Sequence, residues 1–211
     1  QYLQQGAAIR PGAAVALAGD LRPSSPRIMA AAAAAITDLG YRPVNCGNIP
    51  SPALACYAID EGIPSLMVTG SHIPDDRNGI KFNMPGGEVL KADEAGIREQ
   101  VVRTPDGVFD DNGGFLKPAS LPPVDGAAYL RYLARYLDAF PAGCLVGSRV
   151  LLYEHSSVAA GALSEIFAGL GAELVRRGHS ERFVPVDTEA VRSEDVALAK
   201  AWAAAGHFDL L

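Results

Sequence analysis

A strand–loop–helix–strand arrangement occurs twice in this chain of 211 residues, and it limits the fold more than any other feature. In the first copy the successive elements are predicted at 15–19, 20–26, 29–38 and 41–46. In the second copy they are predicted at 149–153, 154–157, 158–170 and 172–175. Alternating strands and helices predict helices on both sides of a largely parallel sheet. The fold class is therefore α/β. The repeat of the unit favours two related three-layer α/β/α domains with mixed, mostly parallel sheets. The alternative is that any two such units look alike.

Glycines and a loop-rich segment divide these copies. Gly40 and Gly171 follow the two predicted helices, where a left-handed C-cap favours glycine. The stretch 106–123 is rich in Asp, Asn, Gly and Pro, a composition typical of loops and linkers. We place the domain boundary near residue 120, which gives a first domain over 1–120 and a second over 121–211.

A further helix is predicted over 126–140, just after this boundary. Its apolar residues recur at helical spacing and predict a face turned toward the core. They are Tyr129, Leu130, Leu133, Tyr136 and Leu137.

Composition excludes several classes of protein. Hydrophobic residues make up 49% and charged residues 20% of the chain, which predicts a packed soluble core. The net charge of −6 argues against a nucleic-acid or anionic-membrane surface, which would show clustered Lys and Arg. No apolar run approaches the ~20 residues that a spanning helix needs, and no signal peptide is visible. The start at Gln1 and the apolar ending at Leu211 lead us to expect a fragment of a longer protein.

The cysteines indicate the redox compartment. Cys46, Cys56 and Cys144 are odd in number, lie far apart and form no Cys-x-x-Cys pair, so a structural zinc site is not expected. We interpret them as buried free thiols in a reducing compartment, which favours a cytoplasmic protein.

The segment 66–82 carries most of the chemical information. Leu66–Thr69 reads as a buried strand, and Gly70 permits a turn that residues with a Cβ resist. Ser71 then lies just past the carboxyl end of the strand, the edge where open α/β sheets bind ligands. Asn78-Gly79 predicts a tight turn. The chain would thus fold back and bring Lys81 and Phe82 toward Ser71.

A serine hydroxyl needs a base, or it must be held already phosphorylated with cations nearby. His72, Arg77 and Lys81 supply candidate cations, and His72 or Lys81 could shuttle a proton. The alternative is that Ser71 and His72 are ordinary turn residues. The segment is neither a Gly-x-Ser-x-Gly nucleophile elbow nor a Walker phosphate loop.

Four segments resemble one enzyme family. Thr69-Gly70-Ser71-His72-Ile73-Pro74, followed by Asn78-Gly79-Ile80-Lys81, is similar to the phosphoserine signature of the α-D-phosphohexomutases. The usual form there is Thr-Ala-Ser-His-Asn-Pro and then Asn-Gly-x-Lys, so Gly70 and Ile73 depart from it. The stretch from Gly19 to Pro26 resembles the family's Gly-Arg-Asp-x-Arg-x-Ser-Ser-Pro without its first arginine. The stretch from Gly47 to Leu54 stands where the family has Gly-x-x-Pro-Thr-Pro. Tyr153-Glu154-His155-Ser156-Ser157 fits a bacterial subgroup labelled phosphomannomutase.

The resemblance implies a mutase that interconverts hexose 6-phosphate and hexose 1-phosphate through a hexose 1,6-bisphosphate, with mannose as the favoured sugar. Ser71 would carry the phosphoryl group and bind Mg²⁺ through its phosphate. Lys81 would shuttle a proton and His72 would assist. Arg22 would orient the serine loop, unless it is a solvated surface arginine.

The family's Asp-Gly-Asp-x-Asp-Arg metal loop does not occur in these 211 residues, and neither do its third and fourth domains. We therefore expect this chain alone to be inactive. Of the metal ligands that the resemblance implies, it would contain only Ser71. The remaining acidic loop residues are expected to be solvated. They are Asp75, Asp76, Asp110 and Asp111.

Other functions stay open at this point. A phosphoglucomutase, a phosphoglucosamine mutase and a degenerate module that binds a phosphosugar or a partner protein are the alternatives. For a serine hydrolase, the sequence offers no evident acid–base partners of the serine. His155, His179 and His207 are scattered, and ordinary core or surface roles are expected for them. The expected partner is a small sugar phosphate, with no nucleic acid and no membrane, and a homodimer remains open.

Overall fold

The structure is a computed structural model of the chain and describes residues 2–5, 9–74, 76–103, 106–117, 119–184 and 191–210. The helices are α1 (Tyr2–Gln5), α2 (Ser25–Asp38), α3 (Ser51–Glu61), α4 (Lys91–Arg98), α5 (Ala127–Ala139), α6 (Ala160–Gly169) and α7 (Ser193–Ala204). The strands are β1 (Ala14–Gly19), β2 (Arg42–Asn45), β3 (Ser65–Val68), β4 (Ile80–Met84), β5 (Gly87–Glu88), β6 (Arg149–His155) and β7 (Glu173–His179). Within the described ranges, no helix combines the length and the apolar character that crossing a bilayer requires.

The first sheet has five strands in the order β2-β1-β3-β4-β5. Strands β2, β1 and β3 are parallel, whereas β4 and β5 run antiparallel. Gly19 lies opposite Val68, so β1 and β3 end level with each other. The mixed, mostly parallel sheet of the sequence prediction is confirmed, and the carboxyl ends of its two central strands share one edge.

Helices cover both faces of this sheet. Leu17 of β1 packs with Ala33 and Ile36 of α2 on one face. Ala16 and Ala18 pack with α3 residues on the other face. Successive strand residues point to opposite faces, so the unbroken apolar run of β1 fits a strand buried on both sides. The three-layer arrangement follows directly from that run.

The second sheet pairs β6 with β7 in parallel, from Arg149 opposite Glu173 to His155 opposite His179. Leu210 forms a further parallel bridge with Val150. Helix α6 packs on this sheet, and α7 contacts it through Trp202, whose ring lies 5.2 Å from that of Tyr153.

Both predicted strand–loop–helix–strand units are present, with shifted boundaries. Helix α2 begins at Ser25 rather than near residue 29, because Pro26 occupies its first turn, where its fixed φ suits a helix. Strand β7 continues to His179 rather than ending at 175, because β6 pairs with it along its whole length. Gly40 and Gly171 have φ of +81° and +97°, as their predicted C-cap positions require.

Helix α5 is present, but its buried side differs from the predicted stripe. Leu133 is buried, whereas Leu130 is 63% exposed. The buried side also includes Ala128, because α5 lies between α3 and α6. Tyr129 packs against both the core of the first sheet and the apolar cluster under α6, so α5 joins the two units by direct packing.

The cysteines are free, as predicted, but they are not all buried. Cys46 is buried, Cys56 is half-buried and Cys144 is exposed. Cys144 lies in the turn-rich connection between α5 and β6.

Candidate active site

The serine loop leaves the sheet at the shared carboxyl edge of β1 and β3. The amide of Asp20 donates a hydrogen bond of 3.0 Å to the carbonyl of Val68, which joins the two loops directly beyond the strands. Ser71 follows three residues after Val68 and is exposed. The predicted location of the serine at a ligand-binding edge is therefore what the fold produces.

Ser71 adopts a backbone conformation that side-chain-bearing residues rarely take. Its φ is +51°, in the left-handed region. Its amide donates to the Thr69 hydroxyl at 3.0 Å, and the amide of Ile73 donates to the carbonyl of Gly70 at 3.0 Å. A left-handed residue costs about 1–2 kcal/mol, so the surrounding contacts must hold it there.

Gly70 serves a different purpose from the predicted one. Its φ lies outside the left-handed region, and the turn falls on Ser71 instead. A Cβ at position 70 would lie 2.4 Å from Cζ of Arg22. Glycine at this position lets the arginine approach the backbone.

Arg22 lies behind the serine loop and is only 1% exposed, which rules out the alternative of a solvated surface arginine. Its guanidinium donates hydrogen bonds to four backbone carbonyls of the loop and to one carboxylate. The acceptors are Ser71 (3.1 Å), Ile73 (2.7 Å), Pro74 (2.6 Å), Arg77 (2.9 Å) and Asp20 (3.2 Å). The planar fork of donors matches these converging acceptors. We name this group of contacts the arginine clamp.

A second network fixes the end of the loop. The Asn78 side-chain amide donates to the hydroxyls of Ser24 and Ser25, at 3.0 and 2.9 Å. Ser25 in turn donates to Asp20 at 2.5 Å. The prediction of a tight turn at Asn78-Gly79 is wrong. Asn78 instead anchors the loop to the start of α2. The chain does fold back, since β4 pairs antiparallel with β3.

A cleft of about 180 Å³ opens between the serine loop and the second sheet. Its walls combine the carboxyl ends of strands from both units. They are Asp20, Thr69, Ser71, His155, Ser156, Ser157, Val158, Phe183 and Val184. Ser71 therefore lies on the wall of a cleft to which both strand–loop–helix units contribute, and whose lining mixes hydroxyl and carboxylate groups with apolar side chains.

His155 lies on the side of the cleft that the second unit forms, and its conformation is unusual. Its φ is +33°, and its Nδ1 is buried without a hydrogen-bond partner. Burial lowers the pKa of His155, and the nearby Asp195 carboxylate offsets only part of that effect. The imidazole is thus held mainly neutral, in a form that can both donate and accept a hydrogen bond.

The remaining residues of the predicted site lie around the cleft. His72 is exposed beside Ser71, and Lys81 is exposed on β4 opposite Met67. Neither belongs to the described residues that line the cleft. Arg77 pairs with Asp76 at 3.6 Å on the surface.

The acidic loop residues within the described ranges belong to no group that could hold a metal ion. Asp76 is exposed, and Asp110 accepts bonds from the amides of Asn112 and Gly114 within its own turn. Asp75 lies outside the described residues. Across the described ranges, no group of three or more His, Cys, Asp and Glu side chains could hold a metal ion.

Some cleft residues were not singled out from the sequence. Asp20 and His155 occupy equivalent places, just after β1 and at the end of β6, and this repeated placement was the available signal. His155, for which an ordinary core or surface role was expected, lies on the cleft wall. His207 is 93% exposed, and His179 pairs with buried Glu154 at 3.3 Å. Phe183 had no sequence signal, because only tertiary packing places it in the cleft.

Comparison with known proteins identifies the family. The family model "Phosphoglucomutase/phosphomannomutase, alpha/beta/alpha domain I" matches residues 1–106. A phosphomannomutase of Sinorhizobium fredii is 43% identical over 206 residues, which cover 96% of this chain and 42% of that protein. A phosphomannomutase of Salmonella muenchen is 41% identical over 190 residues, which cover 90% of this chain and 37% of that protein.

Structural comparison agrees at the level of the fold. A crystal structure of a phosphoglucomutase/phosphomannomutase family protein from Burkholderia thailandensis has a TM-score of 0.68 at 22% identity. The match covers 98% of this chain and 44% of that one. The chain spans less than half the length of the relatives it matches. The match of residues 1–106 to the first-domain model shows that the chain belongs to the phosphoglucomutase/phosphomannomutase family.

Proposed function

We propose that this chain forms the phosphoryl-carrying part of a phosphohexomutase, with Ser71 as the carrier. The observation that supports it most is the placement of Ser71. It is held in a left-handed conformation by the arginine clamp, and its side chain lines a cleft shared by both sheets. Preorganisation of this kind suits phosphoryl transfer, where positioning and electrostatics supply most of the catalysis.

The reaction moves one phosphoryl group in each direction. A sugar hydroxyl attacks the phosphorus of phosphorylated Ser71, the Oγ–P bond breaks, and a hexose 1,6-bisphosphate forms. The sugar hydroxyl gives up its proton, and Ser71 Oγ gains one. The Ser71 hydroxyl then takes the other phosphoryl group from the turned bisphosphate, and the two proton movements reverse. The net result exchanges hexose 6-phosphate and hexose 1-phosphate.

Lys81 and His72 are proposed to handle these protons and the phosphate charge. Lys81 lies opposite Met67 in the antiparallel β3–β4 pair, so the two side chains share one face of the sheet. Met67 packs with α3 and with Ala128 of α5. Lys81 therefore lies on the face of the sheet that α3 and α5 cover, and α5 also packs against the second unit. A flexible lysine on that side can approach the cleft when a phosphate occupies it.

The magnesium ion that the resemblance implies does not find a full ligand set among the described residues. A phosphate on Ser71 would supply hard oxygen donors, but Asp20, the carboxylate on the cleft wall, already accepts bonds from Arg22 and Ser25.

The substrate is proposed to be a mannose phosphate, supported by the names of the two relatives at 43% and 41% identity. Phosphoglucomutase and phosphoglucosamine mutase activities are alternatives within the family. We further propose a division near residue 120 into the serine-loop domain and the second domain, no turnover by this chain alone, and a cytoplasmic location that suits three free thiols.

The test is intact mass of the full-length protein, before and after incubation with glucose 1,6-bisphosphate and magnesium, followed by peptide mapping. One phosphate adduct on the peptide that contains Ser71 is expected. Ser71→Ala should lose both the adduct and mutase activity while it keeps the wild-type circular dichroism. A folded wild-type protein that never acquires the adduct, or an active Ser71→Ala variant, would contradict the proposal.

A further inference from the structure

An aromatic ring from the second unit covers the arginine clamp. Cζ of Arg22 lies 4.6 Å from the centroid of the Phe183 ring. Phe183 follows β7, whereas Arg22 follows β1, so the contact joins the two units. Arg22 is 1% exposed with this ring in place.

The geometry of the guanidinium explains what the ring can do. All its N–H groups lie in one plane, and the clamp directs its bonds to acceptors around the edge of that plane. The faces of the plane remain, and an aromatic ring is a favourable neighbour there through a cation–π interaction. A ring over the face also keeps water from competing for the donors.

Phe183 is itself held in place. The amide of the next residue, Val184, donates to the Ser156 hydroxyl at 2.7 Å, and that hydroxyl lies 3.4 Å from the Val184 carbonyl. Ser156 is buried and adjoins His155 on the cleft wall. The ring is therefore fixed to the same wall of the cleft that faces Ser71.

We propose that Phe183 is a positioning residue for Ser71 that acts through Arg22. The ring orients the guanidinium, the guanidinium holds the carbonyls around Ser71, and the serine loop is thereby ordered by contact with the second unit. This inference rests on the proposed function for its kinetic consequence. Its structural consequence, an ordered serine loop, does not depend on that function.

The kinetic test compares Phe183→Leu and Phe183→Tyr in the full-length protein. Leucine keeps apolar volume but removes the π face, whereas tyrosine keeps the face. Since an exposed or partly desolvated cation–π contact is worth about 0.5–2 kcal/mol, kcat of Phe183→Leu should fall by a factor of about 2–30. KM should change less than kcat in Phe183→Leu. Phe183→Tyr should keep most of the wild-type kcat. Phe115→Leu is the matched control, because it also loses a ring contact, at 4.9 Å with Phe109, and Phe115 takes no part in the described bonds of the clamp.

A double-mutant cycle identifies the route of the effect. In an Arg22→Lys background, Phe183→Leu should cause clearly less than its single-mutant loss, because the planar cation that it orients is already gone. Additive losses would overturn the proposal, as would wild-type kinetics in Phe183→Leu.

Hydrogen exchange separates this inference from the proposed function. Amides in a peptide spanning 69–81 should exchange faster in Phe183→Leu than in wild type or in Phe115→Leu. Unchanged exchange there would overturn the positioning role. Faster exchange in a protein whose Ser71 never accepts phosphate would support the positioning role and reject the phosphoryl carrier.

Discussion

The backbone carbonyl of Ser71 accepts a hydrogen bond of 3.1 Å from the guanidinium of Arg22, a side chain that is almost wholly buried. The bond reaches the peptide group of the proposed carrier, and Ser71 itself lines the cleft. The same guanidinium holds three further carbonyls of the loop. The conformation of Ser71 thus depends on a residue from the neighbouring strand–loop connection.

Arg22→Lys should lower both stability and phosphoryl transfer. Lysine offers three donors on a compact ammonium. It therefore cannot bond all the acceptors that lie around the edge of the guanidinium plane. Leaving these partly buried carbonyls without donors costs at most about 1–3 kcal/mol, which urea unfolding would measure as a lower midpoint. Arg27→Lys is the control, because Arg27 is exposed and its bond among the described residues is a long one, 3.4 Å to the Gly113 carbonyl. Equal midpoints for the two variants would show that the clamp contributes no stability.

Gly70→Ala should disturb the clamp although alanine stands at this place in the usual family signature. The added Cβ would lie 2.4 Å from Cζ of Arg22, so the guanidinium or the loop must shift. Overpacking of this kind typically costs about 1–3 kcal/mol. Thermal unfolding and the rate of phosphate uptake at Ser71 are the measurements. Gly86→Ala is the control, because no atom of the described residues lies within 4 Å of a Cβ there. A Gly70→Ala protein with the melting temperature and uptake rate of wild type would contradict the crowding.

Local patterns predicted the parts of the fold that depend on local physics. The apolar run ending at Gly19 is a central strand, and Gly40 has the left-handed φ expected of a helix C-cap. Ser71 was predicted at the ligand-binding edge because strand ends determine that edge. By contrast, Leu130 fits the helical spacing of α5 yet is exposed, because the neighbours of α5 decide which side is covered.

The second wall of the cleft depends on tertiary contacts. Phe183 contacts Arg22 from a distant part of the sequence, and no periodicity or motif encodes that contact. His155 likewise has meaning only once the end of β6 faces the serine loop.

The cysteines should differ in reactivity. Burial, with the Asp125 carboxylate as a second cause, raises the pKa of the Cys46 thiol to about 11, which keeps it protonated at neutral pH. Cys144 is exposed. N-ethylmaleimide added to the native protein near pH 7.5 should therefore label Cys144 first and Cys46 last, as followed by peptide mass spectrometry. Labelling in urea should make the rates similar. Native labelling of Cys46 as fast as Cys144 would contradict its burial.

His155 should make the stability of the protein depend on pH. Burial lowers the pKa of His155 from its usual value near 6.5, so the unfolded state binds a proton more readily than the folded state does. The resulting stability is present above the unfolded pKa and is lost as the pH falls through the folded pKa. His155→Gln removes the titrating group and should flatten the fall in urea midpoint between about pH 7.5 and pH 5.5, a window above the titration of ordinary carboxylates. His207→Gln is the control, because His207 is 93% exposed. If His155→Gln loses stability over this window as steeply as wild type does, the imidazole is not held neutral by burial.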